Sequence, residues 1–420
     1  MDGRPAETIA AHRKLIHVTT IPISLGFLRG QIGFMKRMGL GVMVVSSPGR
    51  ELNEFGIRQH VRTGGIPMRR NISLAADVAA IIRLFLLFRR EKPDIVHTHT
   101  PKAGLLGTVA ALLARVPIRI FHLHGLPHLT ASGLKCRLLR WSNIVSCWAA
   151  NRVLCVSQSV RGIAITENLC PADKIEVLHH GSIDGVDASG RFNPDAQPED
   201  RRANFCRENG LSAEAFTVGY AGRLARDKGI TELAEAWRIV RSSLPSSRLL
   251  LAGEVDDRDP IPIRTLESLR ADSSVTLLGW MEDTAALYAS VDLVVLPTYR
   301  EGFPVSLMEA AAMRRAIVAS DVPGCQDAVV RDLTGTLVPP RDPCALAEAI
   351  LKYARDAALR AQHGAAGRLR VLKDFRPEDL WCATLNLYTA LLSNRGRRFA
   401  EACSRDGASS NGFKTSDRPV

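Results

Sequence analysis

The chain alternates short, almost continuously apolar runs with longer segments of helical length. Segments such as Phe27–Met38 and Leu74–Arg90 have the apolar spacing of helices. Apolar strands that alternate with helices indicate a parallel sheet covered on both faces. The first half contains six strand-like runs, at Lys14–Thr20, Gly41–Ser47, Asp94–Thr100, Ile118–His124, Arg152–Ser157 and Lys174–His180.

The alternation stops at Ser182–Asn209, which is rich in Gly, Asp, Pro and Arg and suits a linker between domains. It resumes with six further runs, at Phe216–Gly222, Arg248–Gly253, Val275–Gly279, Asp292–Pro297, Ala316–Ser320 and Gly335–Pro339. We therefore predict an α/β fold of two tandem Rossmann-like, doubly wound domains with a cleft between them. The predicted segments are an N-terminal domain (14–190), a C-terminal domain (210–378), a helix that packs back on the first domain (379–393) and a disordered tail (394–420).

Composition narrows the class of protein. The 420 residues are 46% apolar and 23% charged, which excludes a disordered or collagen-like chain. The longest apolar run, Ala79–Phe88, is interrupted by Arg83 and is too short to span a membrane. Residues 1–14 lack the apolar core of a signal peptide, so we expect a cytoplasmic protein. The nine cysteines form no C-x-x-C pair, which favours reduced thiols over disulfides or a zinc site.

The net charge of +12 lies in the first half, because residues 1–190 hold 24 Lys and Arg against 12 Asp and Glu. This half is therefore expected to meet an anionic partner. Two helical segments, Phe27–Arg37 and Leu74–Lys92, mix apolar with basic residues, as helices at an anionic membrane surface do. The alternative is a core-facing apolar side with a solvated basic rim. The net positive charge of residues 1–190 favours contact with a membrane.

A first candidate motif, G-R-L-x-x-x-K-G at Gly222–Gly229, follows a predicted strand and precedes a predicted helix. Its glycine turn permits a ligand to approach the backbone, and Arg223 and Lys228 place two cations beside a helix N-terminus. This arrangement suits a diphosphate, and the alternative is a solvated basic turn.

A second motif, EGFPVSLME at Glu301–Glu309, directly follows another predicted strand. It predicts one carboxylate in a loop and the other on the next helix, where it could accept hydrogen bonds from the vicinal hydroxyls of a ribose. The free N–H groups near Val305 and Ser306 would add donors for an anion. The alternative is a glutamate that stabilises the helix dipole beside an ordinary surface glutamate.

Together the two motifs resemble the GT-B-fold retaining glycosyltransferases that carry an E-x7-E signature, of the bacterial capsule and exopolysaccharide type. The resemblance extends over roughly residues 14–392. The chain departs from the family at Asp184, where Asn is usual, and at Gln326–Asp327. The stretches that match are Asp94–Gly104, His122–Pro127, His180–Pro194, Val275–Ala312, Val318–Val329 and Gly335–Asp342.

The resemblance implies roles for individual residues. Arg223 and Lys228 would hold the donor diphosphate, and Glu309 would hold the ribose. His124 stands where the family often has a histidine near the reacting sugar, and its alternative role is structural. The implied catalytic residues are Glu301, His124, Arg223 and Lys228, and the implied donor-binding residues are Gly222, Arg223, Lys228, Trp280, Met281, Glu301, Gly302, Phe303, Pro304, Val305, Ser306 and Glu309.

His97 and His99 form an H-x-H pair that lies on one face of a predicted strand. A metal site requires a third ligand, and the neighbouring sequence supplies no Cys, Asp or further His. We therefore interpret the pair as structural and expect neither a bound metal nor a cofactor.

The resemblance implies a metal-independent hexosyl- or N-acetylhexosaminyl-transferase. It would move a sugar, with retention of configuration, from a UDP-sugar to a polyprenyl-diphosphate-linked acceptor in capsule, exopolysaccharide or other surface glycan synthesis. We expect it at the inner face of the cell membrane, peripherally bound. One alternative is a UDP-sugar 2-epimerase of the same fold. Another is a basic nucleic-acid-binding protein, which the lack of a binding motif disfavours.

Overall fold

The computed structural model describes residues 13–69, 71, 73–198, 200–210, 212 and 214–408, with side chains as far as residue 393. It contains two parallel sheets, one of seven strands and one of six. Both are covered by helices on their two faces, so the predicted α/β fold is confirmed.

The first sheet has the strand order β3-β2-β1-β4-β5-β6-β7. Each of the six strand-like runs in the first half contains one of its strands. The additional strand, Arg62–Gly65, lies at the sheet edge and is partly exposed, and its sequence RTGG lacks an apolar residue. The strands are β1 Lys14–Val18, β2 Gly41–Ser46, β3 Arg62–Gly65, β4 Ile95–His99, β5 Ile118–Leu123, β6 Arg152–Cys155 and β7 Ile175–Glu176.

Alternate side chains of this sheet enter two separate cores, because successive residues of a strand point to opposite faces. Ile16 and Val96 pack with α3 and α4, whereas Leu15 and Ile95 pack with α1 and with Tyr388 from the end of the chain. Helix α4 lies between α3 and α5. The helices are α1 Arg29–Arg37, α2 Arg50–Gln59, α3 Leu74–Glu91, α4 Pro101–Leu113, α5 Gly133–Ala149 and α6 Gln158–Thr166.

The second sheet has the order β10-β9-β8-β11-β12-β13, and each of its strands falls within a predicted run. These are β8 Thr217–Ala221, β9 Arg248–Ala252, β10 Val275–Gly279, β11 Leu293–Leu296, β12 Ala316–Ser320 and β13 Thr336–Val338. The helices around it are α7 Arg201–Glu208, α8 Ile230–Ser243, α9 Ile263–Ala271, α10 Thr284–Ser290, α11 Val305–Ala312, α12 Cys325–Ala328, α13 Pro343–Arg355 and α14 Ala357–Asp374.

The predicted linker is more structured than its composition indicates. Within it lies α7, which packs against α10, and Ile183, Val186 and Phe192 are buried in the core of the second domain. The segment is therefore part of that domain's packing, and it is anchored by apolar residues spaced too irregularly to form a periodic pattern.

The last helix, α15 Pro377–Ala408, leaves the second domain and packs against α1 of the first. Trp381 lies against Phe34 with ring centroids 5.8 Å apart, and it lies so close to Gly30 that a Cβ there would overlap its indole ring. The helix continues through residues 394–408, which belong to the segment predicted to be a disordered tail. The rest of the predicted tail, 409–420, lies outside the described residues.

In both sheets the chain reverses its direction of progress, between β1 and β4 in the first and between β8 and β11 in the second. Ligands of open α/β sheets bind beyond the carboxyl ends of the strands at these points. The loops after β1, β4, β8 and β11 are therefore where a binding site is expected.

Candidate active site

The first motif lies at the reversal point of the second sheet. Gly222 and Arg223 directly follow β8, and Lys228 ends a short 3₁₀ turn that leads into α8. The Tyr220 hydroxyl donates a hydrogen bond to the Arg223 carbonyl at 2.6 Å, which fixes the backbone of the turn. The motif thus presents two cations at the carboxyl end of the sheet.

Both cations are paired with carboxylates. Arg223 forms an ion pair with Asp256 and lies 3.5 Å from Asp227 Oδ1, while Lys228 forms an ion pair with Glu301. Sequence analysis found Arg223, Lys228 and Glu301 but missed both aspartates. Asp256 could have been recognised from its position shortly after strand β9, and Asp227 from its position within the Gly222–Gly229 motif. A bound diphosphate would compete with these carboxylates for the two cations.

The two glutamates of the second motif lie in different elements. Glu301 belongs to the loop after β11, and Glu309 lies on α11. Glu309 accepts hydrogen bonds from the Tyr288 hydroxyl at 3.2 Å and from the Thr284 hydroxyl at 3.3 Å, two residues that sequence analysis missed. Burial raises the pKa of Glu309 to about 7, against the opposing effect of Arg191. Its carboxylate therefore changes charge near neutral pH.

The remaining donor-binding candidates lie around these glutamates. Gly302, Phe303 and Pro304 lead from Glu301 into α11, which begins with Val305 and Ser306. Phe303 is buried, whereas Trp280 and Met281 follow β10 with exposed and partly buried side chains. The loop and helix predicted for the second motif are present, with the N-terminus of α11 beside Glu301.

The two domains touch at this loop. A Cβ at Gly302 would overlap the His124 carbonyl oxygen, so only glycine permits the approach. The Ser157 hydroxyl donates to the Gly302 carbonyl at 2.8 Å. Gln158, at the N-terminus of α6, donates its backbone N–H to Asp327 Oδ1 at 2.7 Å. His124 is thus brought to the second motif from the other domain, and Asp327, one of the departures from the family, caps a helix across the interface.

A cleft of about 940 Å³ opens between the domains beside this contact. Thr100, which directly precedes α4 at the edge of the cleft, has a φ of 68°, which is strained for a β-branched residue, and it shares a 2.7 Å hydrogen bond with Thr20. Seven cations and three carboxylates line the cleft, so its lining favours an anion: Lys102, Lys135, Arg223, Arg226, Arg258, Arg300 and Arg341 against Asp227, Asp256 and Asp259.

The prediction that His97 and His99 lack a third ligand is wrong. His17 on β1 lies directly beside them, with its Nδ1 3.0 Å from His99 Nε2, and His99 Nδ1 lies 3.2 Å from His124 Nε2. His122 lies in the same group. The missing histidine comes from a strand that is 80 residues distant in the chain but adjacent in the sheet, so local sequence could not supply it.

These histidines are uncharged near neutral pH. Burial, reinforced by the neighbouring imidazoles, lowers the pKa of His17 to about 3 and holds the pKa values of His97, His99 and His124 well below the ordinary value. Burial also lowers the pKa of His122 to about 3. Each ring therefore offers one nitrogen lone pair and one N–H.

The two helices predicted to contact a membrane differ in how many of their apolar side chains are exposed. Leu28, directly before α1, and Ile32 and Met35 within it are buried, so much of the apolar side of Phe27–Arg37 faces the core, and its contact with a membrane stays a prediction. Helix α3 buries one side but exposes Leu74, Val78, Ile82 and Leu86. Helix α5, which sequence analysis missed, exposes Leu134, Leu138, Trp141 and Trp148. Among the described residues, no helix is both long and apolar enough to cross a bilayer.

Comparison with known proteins identifies the family. Residues 215–356 match the family described as "Glycosyl transferases group 1", and residues 29–181 match the "Glycosyl transferase 4-like domain". The chain belongs to the group 1 glycosyltransferases. It is an enzyme with the GT-B fold. Its two tandem parallel sheets have this architecture, and so do the solved structures that it resembles.

Two relatives in sequence and one solved structure with the same fold are similar to this chain. The capsular polysaccharide biosynthesis glycosyltransferase CapM of Staphylococcus aureus is 33% identical over 91% of this chain and 98% of its own. An Escherichia coli galactosyltransferase named for UDP-Gal and α-D-GlcNAc-diphosphoundecaprenol is 26% identical over 82% of this chain and 89% of its own. The crystal structure of Anabaena HepE with UDP and glucose has a TM-score of 0.74 at 18% identity, covering 90% of this chain and all of that one.

Proposed function

We propose that this glycosyltransferase transfers a sugar from a UDP-sugar to a polyprenyl-diphosphate-linked acceptor, with retention of configuration, in the synthesis of a surface polysaccharide. The observation that carries the proposal is the arrangement of Arg223, Lys228, Glu301 and Glu309 around the reversal point of the second sheet. Two cations suit a diphosphate, and two carboxylates suit sugar hydroxyls.

The donor half of the proposal rests on the second domain. A diphosphate that lies against Arg223 and Lys228 would be met by the N-terminus of α11, where free N–H groups and the helix dipole favour an anion. Glu309, on the same helix, lies within reach of a ribose whose hydroxyls would replace those of Thr284 and Tyr288. The E. coli relative, named for UDP-Gal, supports uridine as the nucleoside.

The acceptor half rests on the first domain. Its side of the cleft holds Lys102 and Lys135. An acceptor with its own diphosphate fits this side, because Lys135 is exposed there beside Lys102, which forms an ion pair with Asp77 at 2.8 Å. The E. coli relative's acceptor, a sugar on diphosphoundecaprenol, has this chemistry.

A lipid-linked acceptor requires contact with a membrane, and the α3–α5 surface, made by the outer sides of α3 and α5, provides a suitable face. Its exposed apolar residues occur with exposed Arg83, Arg89, Arg90, Lys135 and Arg137. Apolar and aromatic side chains flanked by cations are typical of helices that lie in an anionic interface. We therefore propose peripheral binding at the inner face of the cell membrane through this surface.

In the proposed reaction, the bond between the anomeric carbon and the donor diphosphate breaks while the acceptor hydroxyl forms its bond on the same face. The hydroxyl proton passes to an oxygen of the departing diphosphate. Arg223 and Lys228 stabilise the charge that develops there, which is an electrostatic contribution to catalysis. Because these side chains supply the positive charge, adding Mg²⁺ or Mn²⁺ is expected to leave kcat unchanged.

A screen of UDP-sugars against the purified enzyme, with a short-chain polyprenyl-diphosphate-linked sugar as acceptor, tests the proposal. We expect one donor to give an elongated lipid-linked product with the anomeric configuration of the donor. Release of a free 2-epimeric sugar without an elongated product would instead favour the UDP-sugar 2-epimerase. Filter binding of RNA tighter than binding of any UDP-sugar would favour the nucleic-acid-binding alternative.

A further inference from the structure

The five buried or partly buried histidines of the first domain form a single group, here called the histidine cluster: His17, His97, His99, His122 and His124. Strand register brings them together, because His17 is the partner of His97 and His99 is the partner of His122 in neighbouring parallel strands. On the same face, nearer the start of the strands, the side chains are apolar. At the carboxyl end of the sheet, next to the reversal point between β1 and β4, histidines therefore occupy positions that apolar side chains fill elsewhere on this face.

The hydrogen bonds within the cluster leave ring nitrogens unsatisfied. His99 uses both of its nitrogens, toward His17 and His124, and His97 Nδ1 pairs with the Tyr388 hydroxyl at 2.6 Å. Within the cluster, three buried nitrogens have no hydrogen-bond partner: His17 Nε2, His97 Nε2 and His122 Nδ1. Each such atom destabilises the folded state by about 1–3 kcal/mol. Of the three, His97 Nε2 is the atom that could bind a ligand shared with the rings of His17 and His99.

We propose that His17, His97 and His99 bind one divalent late transition-metal ion, with Zn²⁺ as the reference. One ring nitrogen from each residue lies within 4.8 Å of the others, and all three side chains are buried. Zn²⁺ holds imidazole nitrogens at about 2.0–2.1 Å, which puts two ligands of a tetrahedral ion roughly 3.3 Å apart. The nitrogens of His17 and His99 already lie close to that separation.

The ligand chemistry selects the class of metal. Three imidazoles without a carboxylate suit Zn²⁺, Cu²⁺, Ni²⁺ or Co²⁺, whereas Mg²⁺ and Ca²⁺ require oxygen ligands. Tyr388 supplies the outer shell, because His97 Nδ1–H can donate to its hydroxyl oxygen and so leave the Nε2 lone pair for the ion. The three histidines and the tyrosine come from β1, β4 and α15, so the ion would join the first and last parts of the chain.

The ion would also orient His124. A metal bound to His99 Nε2 keeps the proton on His99 Nδ1, which must then donate to His124 Nε2. That ring is thereby held in one tautomer at the contact with Gly302. The ion itself would lie behind His124 and would not touch the donor diphosphate, so this inference does not rest on the proposed substrates.

The test uses the untagged full-length protein, stripped of metal with a chelator and titrated with Co²⁺. We expect one equivalent to bind with the intense visible bands of tetrahedral Co²⁺, without the charge-transfer band of a thiolate ligand. Zn²⁺ should displace the Co²⁺ and raise the Tm, because an ion that binds the native state stabilises it. Binding of less than one equivalent, octahedral spectra or a thiolate band would refute the site.

Variants make the assignment specific. His17→Gln and His97→Gln should each weaken Co²⁺ binding at least tenfold, while the double variant of the exposed pair His179 and His180, changed to Gln, should bind like the wild type. Tyr388→Phe keeps every ligand and should weaken binding about 10–100-fold by removing the outer-shell partner. If a variant of a ligand residue fails to fold, Tyr388→Phe still tests the metal site. Unchanged affinity in these variants, or its loss in the exposed-pair variant, would overturn the proposal.

Discussion

The backbone N–H of Gln158 in the first domain donates to the carboxylate of Asp327 in the second at 2.7 Å. Ser159 adds its own backbone N–H at 3.2 Å and its hydroxyl, so one carboxylate caps α6 across the domain interface. A carboxylate at a helix N-terminus is stabilised by both hydrogen bonds and the helix dipole. The contact lies next to the approach of Gly302 to His124, and it therefore holds the domains closed around the site.

Asp327→Ala should open the domains. Hydrogen bonds to a charged group contribute about 1.5–3 kcal/mol, which corresponds to a roughly tenfold or larger shift toward the open state. We expect a larger radius of gyration in small-angle scattering and a lower kcat/KM. Asp321→Ala is the matched control, because Asp321 bonds Gln326 and Arg331 within its own domain. Equal scattering curves and kinetics for the two variants would show that the cap does not govern closure.

Donor binding should depend on both cations of the first motif. Charge-assisted hydrogen bonds contribute about 1.5–3 kcal/mol, so Arg223→Ala or Lys228→Ala should each weaken UDP about tenfold or more in calorimetry. Arg238→Ala, an exposed arginine on α8, is the control and should bind UDP as the wild type does. Undiminished affinity in the double variant of Arg223 and Lys228 would remove the diphosphate assignment.

The two glutamates should give different kinetic signatures. Glu309→Ala should raise the donor KM more than it lowers kcat, since contact with a ribose is similar in the ground and transition states. Glu301→Ala should lower kcat, because a group beside the breaking bond stabilises the transition state differentially. Full turnover in Glu301→Ala combined with lost turnover in Glu309→Ala at saturating donor would reverse the two roles.

Binding of uridine should weaken as the pH falls from 8 to 6. The pKa of Glu309 is raised to about 7 by burial, so its carboxylate becomes protonated in this range and loses its capacity to accept from both ribose hydroxyls. Uridine is the suitable ligand because it carries no phosphate that titrates here. Glu309→Gln should bind more weakly at pH 8 and show no pH dependence over the window. The same slope in this variant would assign the titration to another group.

Asp184 should make the stability of the protein depend on pH. Burial, helped by Glu378, raises the pKa of Asp184 to about 8, against the 2.6 Å hydrogen bond that Trp381 donates to it. The folded state therefore keeps a proton that the unfolded state releases above about pH 4. Stability should fall by at most about 1.4 kcal/mol per pH unit from pH 4 to 8. Asp184→Asn should remove this component from denaturant unfolding curves, and identical slopes for the two proteins would contradict it.

Much of the fold could be predicted because buried parallel strands are almost continuously apolar, as Leu293–Leu296 is. The edge strand Arg62–Gly65 carries no such signal. Within the candidate site, the resemblance pointed to Glu301 and Glu309. The position of Asp256, the counter-ion of Arg223, depends on how β9 pairs with β8 and could not be predicted from local sequence. His17 lies beside His97 because β1 and β4 are neighbours in the sheet, and local sequence does not give that strand order. The exposed side of α5 could not be recognised either, because it carries large apolar residues such as Trp141, whereas Asn143 and Ser146 on the other side are buried.

Helix α15 has a consequence for how the protein is made. It supplies Leu385 and Tyr388 to the apolar core that includes Leu25 and Ile32, so the first domain lacks part of its interior until α15 has left the ribosome. Domains usually fold in the order of their synthesis. Here the second domain can complete its own core first, and the first domain must wait in a partly formed state. Early termination beyond α14 would therefore harm the domain that was synthesised first.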